Sequence, residues 1–537
     1  MEIQETTEFK KTQDYLEESL GFIRASCTKN GAFDANSLDE HQYALYNLAL
    51  SFSELEAAKS FSKYAITSGT FEKRLATCFF AEVIQTINAR LLASNQDYGI
   101  VGKIPLVTSF ISDQLSANNL SGIGEEALAR NFDFEATDLT ESQRLIKKTF
   151  FQFAEQRVAP LSQNIHRFNT SIPEELLKEM SSLGCFGLSI PERYGGHCLD
   201  DKEDELNMIL VTEELSRASL GGAGSLITRP EIMTRALLTG GSEKQKEYWL
   251  PKIASGEKLC AIAITEPDFG SDVASLELKA KSVDKGWLLS GSKTWSTFAG
   301  RANLLLTLAR TDPEKSLSHR GLSLFIVEKP SFTGEEFEVK QRFGGMLSGN
   351  AIPTIGYRGM HSYELFFDDF FVPNINLIGG KDGIGKGFYF TMQGLTAGRI
   401  QTAARACGVI KAAIEKTIHH TRHRRVFSKP LVDYQLTQVK LARMAMHFCA
   451  ARTFTYSAGK LLKQDEGQME ASLVKLFSCR ASEWITREAM QLHGGMGYAE
   501  ESEVSRCWLD ARVLSIFEGS EETLALKVIG RKLIEDA

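Results

Sequence analysis

The chain lacks paired cysteines: its nine thiols are scattered from Cys27 to Cys507 with no Cys-x-x-Cys pair and no His/Cys cluster at zinc spacing. That pattern argues against a metal site and a disulfide framework, and it fits buried thiols in a reducing compartment. Long apolar runs are also missing. No stretch of about 18 apolar residues occurs, so no membrane span is expected. Met1–Leu20 is rich in Glu and has no apolar core, which argues against a secretory signal or an Arg-rich presequence. Nor is there a strong charge of one sign: a net charge of -7 over 537 residues argues against a nucleic-acid or polyanion binder. The expectation is a soluble, cytoplasmic protein that holds no metal, spans no membrane and binds no nucleic acid.

What is present is an ordinary globular composition, 43% hydrophobic and 24% charged. At this length one core cannot serve the whole chain, so several domains are expected. From Phe9 to about Ala117 apolar residues recur at three- and four-residue spacing, a helical period. Asn118–Thr140, containing Ser121-Gly122-Ile123-Gly124, reads as a polar linker. Helices resume over Glu141–Ser255, broken at Pro and Gly clusters. At Leu259 the period changes to that of strands: Cys260–Thr265, Leu276–Ala280, Trp287–Ser290, Leu304–Ala309, Leu322–Val327, Phe337–Gln341 and Tyr363–Phe367. Long helical patterns return at Phe388–Arg422, Tyr434–Gln464 and Glu470–Leu492. The fold class is therefore α+β, with expected divisions at 1–132, 139–258, 259–380 and 381–537.

Two windows carry chemistry. In Ala263-Ile264-Thr265-Glu266-Pro267-Asp268-Phe269-Gly270-Ser271-Asp272 a strand enters a loop of small polar residues. Gly270 permits close approach to an anion, Ser271 and free amides can donate to a pyrophosphate, and Thr265 can reach a ring heteroatom. A plain surface turn is the alternative. In Gly291–Thr297, Trp295 can wall a planar ring while Ser296 and Thr297 donate to its polar edge; a core aromatic is the alternative. Two decoys fail. Gly383-Ile384-Gly385-Lys386-Gly387 lacks Walker spacing and reads as the entry to the next helix. The His419–His423 stretch has no Cys or carboxylate at ligand spacing and reads as a solvated basic helix end.

Together with Arg424-Arg425-Val426-Phe427, Gln491-Leu492-His493-Gly494-Gly495-Met496-Gly497 and Ile516-Phe517-Glu518-Gly519-Ser520, these windows resemble the acyl-CoA dehydrogenase family, in its order and spacing, over roughly Glu141–Ala537. The resemblance implies a helical domain, a central β-barrel-like domain and a C-terminal four-helix bundle, here with an extra N-terminal helical domain. It implies FAD as cofactor, with Ile264, Thr265, Gly270, Ser271, Trp295, Thr297 and Ser520 matching flavin and pyrophosphate contacts. Arg424, Gln491 and Gly495 match positions that reach the FAD of a neighbouring subunit, which implies at least a dimer, and Gly494 with Gly495 lets an adenosine approach the backbone. Arg399 matches a residue near the bound thioester, and electron-transfer flavoprotein is the implied acceptor. Glu518 stands where the family's base removes an α-proton as the β-hydride goes to flavin N5, and Gly519 lets the chain turn close to substrate. The apolar neighbours Ile516 and Phe517 suit a desolvated carboxylate. Some relatives carry the base just before the residue matching Arg399, but Gly398 has no carboxylate. Glu522 replaces a glutamine that contacts FAD in many relatives, so it receives no cofactor role.

Within the family, Gly356–Leu365, Arg399–Ala406 and Ser225-Leu226-Ile227-Thr228-Arg229 resemble the subgroup that acts on (2S)-methylsuccinyl-CoA and carries an N-terminal extension of this size. A dicarboxylic thioester needs a cation for its free carboxylate, which points to Arg229, helped by Ser225 or Thr228. An outward salt-bridge arginine is the alternative. Competing functions are a short or branched-chain acyl-CoA dehydrogenase of the butyryl or isobutyryl type, an oxidase, and a non-catalytic assembly protein on the same fold. The N-terminal extension carries no chemical motif; covering the surface used for tetramers would leave a dimer.

Overall fold

The computed structural model describes the whole chain except residues 1–2, 4–5, 30–31, 104–108, 135–138, 200–204, 343, 463–466 and 537. Two compact units result: Met1–Leu145 with Thr402–Ala537, and Ile146–Gln401. The N-terminal extension thus shares a unit with the C-terminal helices.

In the terminal unit the helices Thr7–Ser26, Gln42–Ser68 and Thr70–Ala93 precede a shorter one, Ala117–Ala129. Ala44, Leu48, Ser51, Leu55, Ala58, Ser62 and Ala65 are all buried along Gln42–Ser68, the alternating four- and three-residue spacing of a single helix face. The helix packs against Thr70–Ala93, Gln435–Leu462 and Gln468–His493. Small residues on that face let backbones approach. The same cause overturns the linker expected at Asn118–Thr140: most of it is the Ala117–Ala129 helix, which Ser116 caps through the Asn119 amide. Gly124 lies where a Cβ would meet the Gln438 carbonyl oxygen at 2.1 Å, so this glycine serves helix contact and not a turn. Residues 135–138 of the expected linker lie outside the described residues. Thr70–Ala93 is long and apolar enough to cross a membrane, by length and composition. Of its most apolar window 67% is buried inside the unit, the pattern of a core helix.

The central unit pairs helices, among them Glu205–Ala218, Thr228–Gly240 and Glu243–Ala254, with one eight-stranded sheet. From one edge the strands run Cys260–Ala263, Leu304–Arg310, Lys279–Val283, Gly286–Thr297, Ser362–Pro373, Met346–Ile352 and Glu336–Lys340, with Leu322–Glu328 also pairing Leu304–Arg310. Leu304, Leu306 and Leu308, and Leu322, Leu324 and Ile326, alternate onto one buried face against Ile232, Met233, Trp249 and Leu250. One strand of this sheet escaped the sequence pattern: Met346–Ile352. Its Gly349 replaces an apolar residue because the Phe337 ring occupies the place of a side chain there, 2.3 Å from where a Cβ would sit.

Candidate functional site

In the central unit the two chemistry-bearing windows lie side by side. The Thr294 amide donates to the Thr265 carbonyl at 2.8 Å. Beneath them Lys293 Nζ, wholly buried, donates to the Ile264 carbonyl at 2.7 Å and to Glu266 Oε1 at 2.8 Å. That carboxylate also accepts from the Leu278 amide at Oε1 and from the Glu277 amide at Oε2. Burial pushes the Lys293 ammonium below its ordinary range, and Glu266 opposes the shift. This pair, which the motif reading passed over, fixes the loop from below; a Lys and a Glu 27 residues apart inside apolar surroundings were the available signal.

Above it the surface fits a flavin. Trp295 is 57% exposed and sits at φ +56°, a conformation a bulky residue adopts only when its surroundings impose it. The nearest atom to a Cβ on Gly270 would be the Thr265 methyl at 3.8 Å, so the backbone is open to approach, and Ser271 beside it is exposed. Thr297 is partly exposed, with its hydroxyl 2.9 Å from that of Ser362. Ser296 differs from expectation: strand alternation turns it inward, where its hydroxyl is buried without a partner among the described residues.

In the terminal unit a second cluster forms at the ends of two helices. The His420 and His493 rings stack at 4.2 Å, which joins the end of Gly387–His423 to that of Gln468–His493. Exposed Arg424 and exposed Gln491, Gly494 and Gly495 are thereby gathered, and nothing stands within 4 Å of a Cβ on either glycine. A cation beside open backbone is the chemistry an adenosine pyrophosphate needs. Burial, with His493 and Arg424 nearby, pushes the His420 imidazole down to about 4. It is a neutral spacer, and no group of three or more metal-binding side chains occurs among the described residues.

Glu518 lies in the same unit at φ +55°, followed by Gly519 at φ +95°. Its surroundings differ from the apolar pocket its neighbours suggested. Arg405, with no exposed side-chain surface, donates to Glu518 Oε2 at 2.6 Å, as does Thr402 Oγ1 at 2.6 Å. The Phe517 ring lies 4.8 Å from the Arg405 guanidinium, and Ile516 is 53% exposed. Buried Lys475 donates to the carbonyls of Phe517, at 2.7 Å, and Gly519. The sequence reading missed Arg405, Thr402 and Lys475. Its one signal was an arginine inside Ala403-Ala404-Arg405-Ala406-Cys407, an otherwise uncharged buried run that demands a counter-charge. Ser520 is committed locally: it caps the helix that follows, accepting from the Thr523 amide at 3.3 Å. Glu522 is exposed.

Ser225, Thr228 and Arg229 are buried in the central unit. Arg229 is neither an outward salt bridge nor an open cation. Its Nη1 donates to the Ser225 carbonyl at 2.6 Å and its Nη2 to the Tyr357 hydroxyl at 2.8 Å. The Thr228 hydroxyl is buried with no partner among the described residues. Arg399 is half-buried along Gly387–His423.

Comparison with known proteins matches the acyl-CoA dehydrogenase N-terminal domain at residues 140–257, the middle domain at 261–370 and the C-terminal domain at 385–534. The (2S)-methylsuccinyl-CoA dehydrogenase of Cereibacter sphaeroides is 35% identical over 97% of this chain and 96% of its own. The mitochondrial short-chain specific acyl-CoA dehydrogenase of Sus scrofa is 32% identical over 74% of this chain and 92% of its own. Among solved structures, butyryl-CoA dehydrogenase from Megasphaera elsdenii superposes with a TM-score of 0.67 at 32% identity, covering 75% of this chain and 99% of that one. An exposed strained indole beside an open glycine loop, a half-buried glutamate on a left-handed turn and three concordant domain matches have one explanation: this chain is a member of the acyl-CoA dehydrogenase family of FAD-dependent oxidoreductases.

Proposed function

We propose that the enzyme introduces an α,β double bond into a short, methyl-branched dicarboxylic acyl-CoA, (2S)-methylsuccinyl-CoA, giving mesaconyl-CoA. The carrying observation is the extent of likeness. The match to the Cereibacter sphaeroides enzyme runs over 97% of this chain, N-terminal extension included, where that to the Sus scrofa enzyme covers 74%. Glu518 takes the α-proton onto its carboxylate. Glu518 and Gly519 both sit at positive φ, and the backbone amide of Glu518 would donate to the thioester oxygen as enolate charge develops. Ile264, Thr265, Gly270, Ser271, Trp295 and Thr297 would hold FAD, with Arg424, Gln491, Gly494 and Gly495 serving the cofactor of a second subunit in a homodimer. Bound FAD supplies the acceptor for the β-hydride, and electron-transfer flavoprotein takes the electrons onward, in a reducing cytoplasmic setting. Arg229, with Ser225 and Thr228, receives the free carboxylate. Arg399 lies near the thioester.

A second reading has one observation in its favour: Arg229 already spends two donors on Ser225 and Tyr357, which suits a neutral pocket and a butyryl-CoA type substrate. Anaerobic titration of the flavin-loaded protein separates the two. Stoichiometric bleaching by methylsuccinyl-CoA alone establishes the dicarboxylic assignment. Bleaching by butyryl-CoA alone transfers it to a neutral substrate, and bleaching by neither overturns the reaction.

A further inference from the structure

The Glu518 carboxylate meets a buried cation that no motif anticipated. Arg405 and Thr402 stand one turn apart on the Gly387–His423 helix. Both donate to the same oxygen, Oε2, at 2.6 Å, and Arg405 Nη2 also donates to Thr402 Oγ1 at 2.6 Å. Three groups thus form a closed triangle whose apex is the carboxylate. The turn that bears it is pinned separately, by Lys475 on the carbonyls flanking Glu518. Among the described residues, the titratable groups facing Glu518 or its turn include Arg405 from one helix, with Lys475 and the Cys479 thiol from Gln468–His493. Burial pushes that thiol up to about 12, so it stays neutral.

We infer that Arg405, acting with Thr402, is the positioning residue of the base: it keeps Glu518 ionised and aimed while an acyl chain displaces water from around it. The inference rests on Glu518 being the base. An acyl chain that drives water away raises the free energy of a carboxylate's charged form, and a protonated carboxyl cannot accept an α-proton. A cation at hydrogen-bond distance opposes that effect. It is strongest where no water competes, and Arg405 has no exposed surface. Two donors converging on one oxygen also restrict rotation of the carboxylate, so its reach toward the α-carbon is set before substrate arrives. The Phe517 face on the guanidinium holds the cation in register. A lysine in its place keeps the charge but supplies a compact ammonium in place of the planar fork that spans Thr402 and Glu518 together.

The test uses the FAD-loaded enzyme as wild type, Arg405→Met, Arg405→Lys, Thr402→Val and Glu518→Gln. Flavin reduction is followed anaerobically across pH with whichever of methylsuccinyl-CoA and butyryl-CoA bleaches the wild type. Flavin content and melting temperature confirm folding. Arg405→Met is expected to slow reduction about tenfold or more at neutral pH and to move the acid limb of the rate profile upward by about one pH unit, with substrate affinity changed less than about threefold. Thr402→Val moves the limb in the same direction by less, and Arg405→Lys returns it toward wild type. A folded Arg405→Met protein with wild-type rate and limb overturns the inference. Should that variant not fold, an unmoved limb in Thr402→Val does so. Glu518→Gln separates the two levels: if it still reduces flavin, the base assignment itself fails. If it is inactive while Arg405→Met behaves as wild type, only the role of Arg405 is lost.

Discussion

Arg443 grips Glu82 with two donors, Nη2 to Oε1 at 2.6 Å and Nε to Oε2 at 3.0 Å, and so ties a helix of the N-terminal extension to a helix of the C-terminal bundle across 361 residues of sequence. His447 adds a third contact, its Nε2 3.0 Å from Glu82 Oε1. Burial alone would raise the Glu82 carboxyl, but His447 and Arg443 bring it down from 4.5 to about 2. A depressed carboxyl contributes stability that is complete above its unfolded value and disappears as pH falls through its folded one. Glu82→Gln is therefore expected to destabilise by about 2 kcal/mol at neutral pH. The gap from wild type should close between pH 4.5 and about 2. Urea melts over that range read both effects, and a gap that stays constant would remove the ion pair as its cause.

Two glycines on one helix are expected to respond oppositely. Gly124→Ala drives a Cβ into the Gln438 carbonyl oxygen, which should destabilise by about 1–3 kcal/mol and expose the extension to protease. Gly122→Ala meets nothing within 4 Å on the same helix and should stabilise by up to about 1 kcal/mol through helix propensity. Thermal melts of the two variants give the sign directly.

Lys475→Met removes the donor that holds the Phe517 and Gly519 carbonyls. Loss of two charge-assisted bonds in a buried setting should cost about 2 kcal/mol. Loosening the turn should also slow flavin reduction roughly tenfold while substrate affinity changes little. Stopped-flow reduction at saturating acyl-CoA measures this; an equal loss confined to affinity would place Lys475 in substrate binding.

Arg229→Met tests the carboxylate pocket against the architecture of the central unit. With the dicarboxylic substrate, loss of a bidentate partner is expected to lower kcat/KM about a hundredfold, and butyryl-CoA turnover should be far less affected. Tyr357→Phe removes the hydroxyl that Arg229 Nη2 reaches at 2.8 Å and should produce a milder change of the same kind. Retained turnover of the dicarboxylic thioester by Arg229→Met would sink the assignment.

The sequence by itself determined those parts of the molecule whose physics is local. A short apolar run marked Leu304–Ala309 as a strand, and the three- and four-residue period placed Leu48, Leu55 and Ala58 on one face of a helix. Turn chemistry marked the Ala263–Asp272 loop, and Glu518-Gly519 was readable because a glutamate before glycine lies inside a contiguous motif. Tertiary structure alone decided what those residues meet. Arg405 reaches Glu518 across 113 positions, Arg229 reaches Tyr357 across 128, and Ser121 reaches Gln438 across 317. None of these has a local signature. A period records which face is buried but not which charge or carbonyl waits on the other side. That is why Glu518 was expected among apolar neighbours and is found beside a guanidinium, and why a glycine-bearing helix read as a linker.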